Sequence, residues 1–294
     1  MSTLLLTHPC FLDHDTGEGH PERPDRMRVL DKVFSDPRFD ALVREEAPLR
    51  DDCEEVILRV HPEIYLDRLK RLRPEPGKPA IRLDPDTVLS SGTWEAALRA
   101  VGAGLEAVDK VFEAGNGIRN AFCQVRPCGH HAEKERAMGF CIFSNIAIAA
   151  HYARAHHGAE RVAVVDFDVH HGNGTQDVFW SDKDLFLAST HQMPLYPGTG
   201  APSEEGTAGT ICNAPLRPND AGPQFRDALN ARVLPAHNDF WPDLILISAG
   251  FEAHEADPLA KLRLFEDDFL WATDKLMNFD EHHCRGRFVS MLVG

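Results

Sequence analysis

At 294 residues the chain is near the upper size limit for one hydrophobic core, so a single domain over 1–294 is expected. An apolar fraction of 43% with 26% charged residues excludes wholesale disorder, and no run approaches the roughly 18 apolar residues of a membrane span. With 31 Lys and Arg against 46 Asp and Glu, the net charge of −15 argues against a nucleic-acid binder and suits a neutral or cationic substrate.

The opening MSTLLLTHPC has no basic segment before its leucines, so a secretory signal is not expected and a cytoplasmic location is. The strands expected in chain order are Leu4–Thr7, Ala121–Val125, Arg161–Asp166, Leu185–Ser189, Leu244–Ser248 and Phe288–Leu292. Several are continuously apolar, as suits strands buried on both faces of a parallel sheet. Between them, apolar residues at Trp94, Leu98, Val101, Leu105, Val108 and Phe112 make one helical stripe within Gly92–Ala114, stopped by Gly115-Asn116-Gly117. A second helix is expected from after Ser144 to His157, ended by Gly158, and a third from Pro223 to Phe240, kinked at Pro235. The alternation predicts an α/β fold with an open, mostly parallel sheet and helices on both faces. Long Pro- and Gly-rich pieces at 13–26, 71–92, 126–140 and 192–224 read as loops, and loops of such length are usually functional or disordered. The seven cysteines are scattered, odd in number and without a CxxC pair; they read as small buried hydrophobes of a reducing compartment.

Three segments carry chemistry. Val164-Val165-Asp166-Phe167-Asp168-Val169-His170-His171-Gly172-Asn173-Gly174 takes an apolar strand straight into acids, histidines and glycines. Ligands of open α/β sheets bind beyond the carboxyl ends of strands, and extended backbone would put Asp166, Asp168 and His170 on one side. An Asp-x-His pair there can offer a carboxylate oxygen and an imidazole nitrogen to one metal ion, although a capped helix start with a satisfied histidine fits the same letters. Arg126-Pro127-Cys128-Gly129-His130-His131 follows a second strand; alone, adjacent histidines in a Gly-flanked loop equally describe surface residues, the reading given to His156-His157 and His282-His283. Ser248-Ala249-Gly250-Phe251-Glu252 brings another carboxylate to a strand end. Together these segments suggest a zinc site with three protein ligands and an open fourth position, with the extra histidines handling protons.

The stretches RPCGHHAEKERAMGFCIFSNIAIAA, VAVVDFDVHHGNGTQDVFW, STHQMPLYPGTG, HPERPDR and ISAGFEAHEADPLA resemble the histone deacetylase superfamily over essentially the whole chain. The HPERP and HHGNGTQ variants are most similar to class II-type deacetylases and their bacterial acetoin-utilisation-type relatives. The resemblance implies the arginase/deacetylase fold and Zn2+-dependent hydrolysis of acetyl-lysine-type amides. It assigns Asp168, His170 and Glu252 to one zinc ion and His131 to general base and acid, with His130 as electrostatic partner. Asp166 would hold His130 and Asn173 would orient His131. Gly139, Phe140 and Tyr196 match the walls of an acyl-lysine tunnel, and Arg23 the arginine beneath the site. Main-chain carbonyls around Asp166, Asp168 and His170, with the Ser189 hydroxyl, match an inner site for K+ or Na+.

Three departures stand out. Glu252 replaces the family's Asp, and Ser144 stands where many relatives have Asn. The family's Gly-Gly-Tyr motif, whose tyrosine polarises the substrate carbonyl, is expected about two residues beyond Gly294. A deacetylase lacking its C-terminal segment and a catalytically silent homologue that binds metal or acyl ligand are the two readings that follow. Within the enzyme class, Leu259 occupies the position where acetylpolyamine amidohydrolases often carry an acidic gate, which favours acyl-lysine. An arginase-type di-manganese site needs more Asp ligands than these clusters offer. The rim acids Asp84 and Asp86 read as solvated loop residues.

Overall fold

The computed structural model describes residues 2–284 and 286–294, with the side chains of 279–283 outside the description, so the reading of His282-His283 lies outside it. The elements run β1 (Ser2–Thr7), α1 (Asp25–Phe34), β2 (Val43–Glu46), α2 (Cys53–Ile57), α3 (Glu63–Leu72), β3 (Ile81–Arg82), β4 (Val88–Leu89), α4 (Thr93–Phe112), β5 (Ile118–Cys123) and α5 (Asn145–His157). There follow β6 (Val162–Asp166), α6 (Asn173–Phe179), β7 (Leu185–Ser189), β8 (Ile211–Asn213), α7 (Gly222–Ala228), α8 (Leu234–Phe240), β9 (Leu244–Ala249), α9 (Glu266–His283) and β10 (Phe288–Leu292). Eight strands form one parallel sheet in the order β2-β1-β5-β10-β9-β6-β7-β8, and β3 and β4 make a separate antiparallel pair.

The continuously apolar strands supply both faces. Val162 and Val164 of β6 join the core packed with α4 and α5, whereas Ala163 and Val165 join a second core with Phe225, Leu229, Phe269 and Leu276. Side chains alternate across a strand, so two layers of helices need apolar residues at every position. The α/β reading with helices on both faces holds.

Local chemistry sets the helix ends. Asn116 donates to Lys110 O at 2.7 Å and accepts from Ile118 N–H at 2.8 Å, tying the exit of α4 to the entry of β5. Gly158 closes α5 in the left-handed region at φ +66°. The Pro223–Phe240 helix is interrupted as expected near Pro235, but by a π-helical turn over Leu229–Val233.

Some expectations need correction. The segment 71–92 contains the β3–β4 hairpin, and 192–224 contains β8 and the start of α7. The strand expected at Ala121–Val125 runs from Ile118 to Cys123. His157 is not simply a surface residue: it is half-buried, bonded to Asp109 at 2.6 Å and stacked on Phe112, while His156 is exposed.

Candidate active site

Because all eight strands are parallel, their carboxyl ends share one edge, and the chemical segments leave from there. Asp166 ends β6, Glu252 follows β9, His130 and His131 lie on the loop after β5, and Val293-Gly294 follow β10 between them.

The tandem histidines are buried with ring centroids 4.0 Å apart and planes tilted by 43°, yet they have opposite partners. His130 Nδ1 is 2.9 Å from Asp166 Oδ2. Burial alone would lower its pKa, but the charges of Asp166 and Asp168 outweigh that and push it up to about 10. His131 is held well below 6.5 by burial and by the positive charge of His130. Its Nδ1 is 2.8 Å from Asn173 Oδ1, and the Asn173 amide donates to Glu133 at 2.7 Å, which fixes the oxygen as the end facing His131. An acceptor at Nδ1 selects the tautomer protonated there and leaves Nε2 with a free lone pair. A charged imidazole thus lies against a neutral one.

The backbone turns away from β6 after Asp166, yet Asp168 and His170 still meet, with Asp168 Oδ1 3.0 Å from His170 Nδ1 and 2.7 Å from the His170 N–H. Gly250 makes room for Asp168, since a Cβ there would overlap its carboxylate. Asp168 is held far below the ordinary carboxylate range by His130 and His170 in spite of its burial. Glu252 lies against it and is pushed well above that range by burial and by the Asp168 charge. Asp168 Oδ2 and Glu252 Oε2 are both buried without a hydrogen-bond partner. Two orphaned carboxylate oxygens beside an imidazole are a donor set that fits a divalent cation such as zinc. No three His, Cys, Asp or Glu among the described residues form a ready metal cluster as the side chains stand. The Glu252 carboxylate fills the space that a Cβ on Gly294 would need.

Above the histidines, Tyr196 meets His131 edge-on at 5.2 Å and is partly exposed. Gly139 and Phe140 both adopt the left-handed region, at φ +55° and +70°, and Thr87 Oγ1 accepts the Phe140 N–H at 3.1 Å. His20 packs edge-on against Phe140. Leu259 is exposed in a turn capped by Asp257. The Tyr65 hydroxyl donates to Ile142 O and the Tyr152 hydroxyl to Asp109, so both are engaged elsewhere than at the histidines.

One expected residue is placed differently. Arg23 is 58% exposed and paired with Asp25 at the rim of a cavity of about 320 Å³ that Glu252 also lines. The inward arginine is Arg26, which donates to Val293 O at 3.1 Å and contacts Glu22. The helical start at Asp25 was the missed signal, because it turns residue 26 rather than 23 toward β10. The Ser189 hydroxyl lies 2.9 Å from His191 Nδ1. Sequence reasoning also missed Glu22 and Arg126: fully buried Arg126 grips Glu22 through two nitrogens and donates to Phe11 O and His14 O, binding the HPERP segment to the loop of the tandem histidines. Ser144 leaves its hydroxyl buried without a partner, and nothing in the structure explains the choice of serine.

The histone deacetylase domain model matches residues 20–294. Among curated relatives, a histone deacetylase-like amidohydrolase of Pseudomonas aeruginosa is 39% identical over 99% of this chain and 76% of its own length. A probable deacetylase of Archaeoglobus fulgidus is 36% identical over 100% of the chain and 81% of its own length. The crystal structure of the HDA15 HD domain superposes with a TM-score of 0.89 at 30% identity, covering 100% of this chain and 84% of that one. With this edge-on site, this sheet order and these matches, the chain belongs to the histone deacetylase family.

Proposed function

We propose that the chain is a zinc-dependent deacetylase that hydrolyses acetyl-lysine-type amides. The observation that carries this is the split between the paired imidazoles, one held charged by Asp166 and the other neutral with Nε2 free. Asp168, His170 and Glu252 would hold the zinc, which supplies Lewis-acid polarisation of the amide carbonyl and of the attacking water. His131 Nε2 takes the proton as water attacks, and the same nitrogen then delivers it to the leaving amine. His130 stays protonated and stabilises negative charge developing on the carbonyl oxygen, because Asp166 keeps its proton in place. Phe140 and Tyr196 flank the lysine stem and exclude water around the reacting amide. The main chain of Asp166, Asp168 and His170 would hold a structural K+ or Na+, with Ser189 turning from His191 to join it. Seven free thiols, six of them buried, suit a reducing, cytoplasmic setting; no helix among the described residues is long and apolar enough to cross a membrane.

Elemental analysis after mild dialysis tests the metal, and acetate release from an acetyl-lysine peptide tests the reaction. About one zinc per chain, lost in His170→Ala, is expected, with turnover cut at least about 100-fold in His131→Ala. Glu252→Asp should tighten zinc retention roughly tenfold, since the extra methylene exceeds the positional tolerance of about 0.5 Å in such sites. No retained zinc in either the parent or Glu252→Asp would favour a silent homologue, and preference for acetylspermidine over the peptide would move the substrate to acylpolyamines.

A further inference from the structure

Two thiols that the proposed reaction does not use lie beneath the tandem histidines. Cys128 Sγ and Cys141 Sγ are 3.3 Å apart although 13 residues separate them in sequence. Both are buried, at 1% and 0% exposure, in a small cluster with Ala132 and Val293 against Phe140. Cys53 and Cys123, by contrast, use their sulfurs only as donors to the backbone carbonyls of Leu98 and Ala103.

We propose that Cys128 and Cys141 are an oxidant-responsive modification site, closing reversibly into a disulfide under the catalytic loops. A disulfide needs sulfurs roughly 2.05 Å apart, so the pair must approach by about 1.3 Å, within the reach of side-chain rotation and a small loop shift. The oxidant is hydrogen peroxide. One sulfur attacks a peroxide oxygen, the O–O bond breaks, and a sulfenic acid and one water form. The second sulfur then displaces the sulfenic oxygen, which leaves as another water carrying the remaining thiol proton. The two thiols lose two electrons in all, and the peroxide gains them. Burial keeps an isolated thiol inert, but here any sulfenic acid already touches its resolving partner. Phe140, which packs against the pair, is partly exposed, and peroxide, little larger than water, would approach the sulfurs past it.

The pair reaches the proposed chemistry through hydrogen bonds. Cys141 Sγ accepts the His131 N–H at 3.4 Å and donates to Gly139 O at 3.2 Å, and Cys128 directly precedes Gly129-His130-His131. Oxidation removes the S–H donor and ties the histidine loop to the Gly139–Phe140 wall. The disulfide follows from the sulfur geometry alone, whereas its effect on turnover rests on the deacetylase reading.

The test exposes the full chain to hydrogen peroxide in its native state, removes the peroxide, then unfolds the chain in guanidinium chloride with maleimide at neutral pH for peptide mass mapping. The expected product links the Cys128 and Cys141 peptides, is lighter by two hydrogens than the reduced pair, disappears with dithiothreitol and does not form in Cys141→Ser. Hydrogen exchange at 129–131 and 139–141 should change in step, and acetate release should fall at least about tenfold and recover on reduction. If both thiols still react with maleimide after a dose that oxidises half-buried Cys212, the disulfide is refuted. A cross-link with unchanged exchange refutes the coupling to the loops. A chain that forms the cross-link with altered exchange but never releases acetate would sink the deacetylase reading and leave the modification site standing.

Discussion

Gly139 and His131 are in such close contact that a Cβ on the glycine would stand 2.7 Å from His131 Cγ, inside the distance carbon atoms tolerate. The glycine is also at φ +55°, so both sterics and backbone conformation select it. Gly139→Ala should displace the imidazole while leaving the distant sheet intact. We expect kcat to fall about 100-fold, the order of loss that a 1 Å misplacement brings, with an unchanged far-ultraviolet circular dichroism spectrum. Near-parental kcat would mean that the His131 position is not critical.

Asn173 presents a neutral oxygen to His131 Nδ1. Replacing it by Asp would place a carboxylate against the ring and favour the imidazolium, raising a pKa that burial and His130 now hold well below 6.5. Turnover needs the neutral base, so the acidic limb of the pH–rate profile should move to higher pH by about one to two units. Profiles of the parent and Asn173→Asp that superimpose would remove Asn173 as the group that sets His131.

Arg126 and Glu22 form a buried ion pair, and truncating Arg126 leaves the Glu22 carboxylate with its longer, 3.5 Å contact to the Arg26 guanidinium. Arg126→Met should cost about 3–5 kcal/mol in urea unfolding, and adding Glu22→Gln should restore part of it. A loss under about 1 kcal/mol would show that solvent reaches Glu22 once its partner is gone.

Acid should unfold the protein early. His14, His61 and His191 are buried with pKa values lowered to about 4, chiefly by desolvation. His61, for example, bonds Lys134 O at one nitrogen and accepts the Ser144 N–H at the other, which only the neutral ring can do. A folded pKa below the unfolded value of 6.5 means the stabilisation is complete above about pH 6.5 and is lost as pH falls toward 4. Each such histidine forfeits about 2 kcal/mol by pH 5. The raised pKa of His130 acts in the opposite sense, its stabilisation being full below pH 6.5 and lost as pH rises toward 10. Urea midpoints should drop from pH 6.5 to 5 and decline more gently from 7 to 8; equal midpoints at pH 7 and 5 would contradict neutral burial.

The central strands and the site were legible for one physical reason. A strand covered on both faces must be apolar throughout, so β6, β7, β9 and β10 announce themselves, and acids or histidines directly after them are conspicuous. Edge strands carry no such signature. Val43–Glu46 of β2 alternates half-buried with exposed residues and ends in two glutamates, which suits an unpaired edge, and β8 is three residues long. Helical phase was the other blind spot: Arg23 and Arg26 are three residues apart, and only the position of the first turn of α1 decides which faces inward. The Cys128–Cys141 contact was invisible for a related reason, because the loop between them folds back through Gly139.

The place of β10 in the sheet has a consequence for synthesis. Phe288–Leu292 follow every other strand of the sheet in chain order, yet they pair with β5 on one side and β9 on the other. Until they emerge, the block β2-β1-β5 and the block β9-β6-β7-β8 each present a bare inner edge of apolar strand. A nascent chain stalled before residue 288 therefore exposes two sticky borders, and it is at that stage that a holdase chaperone would be needed most.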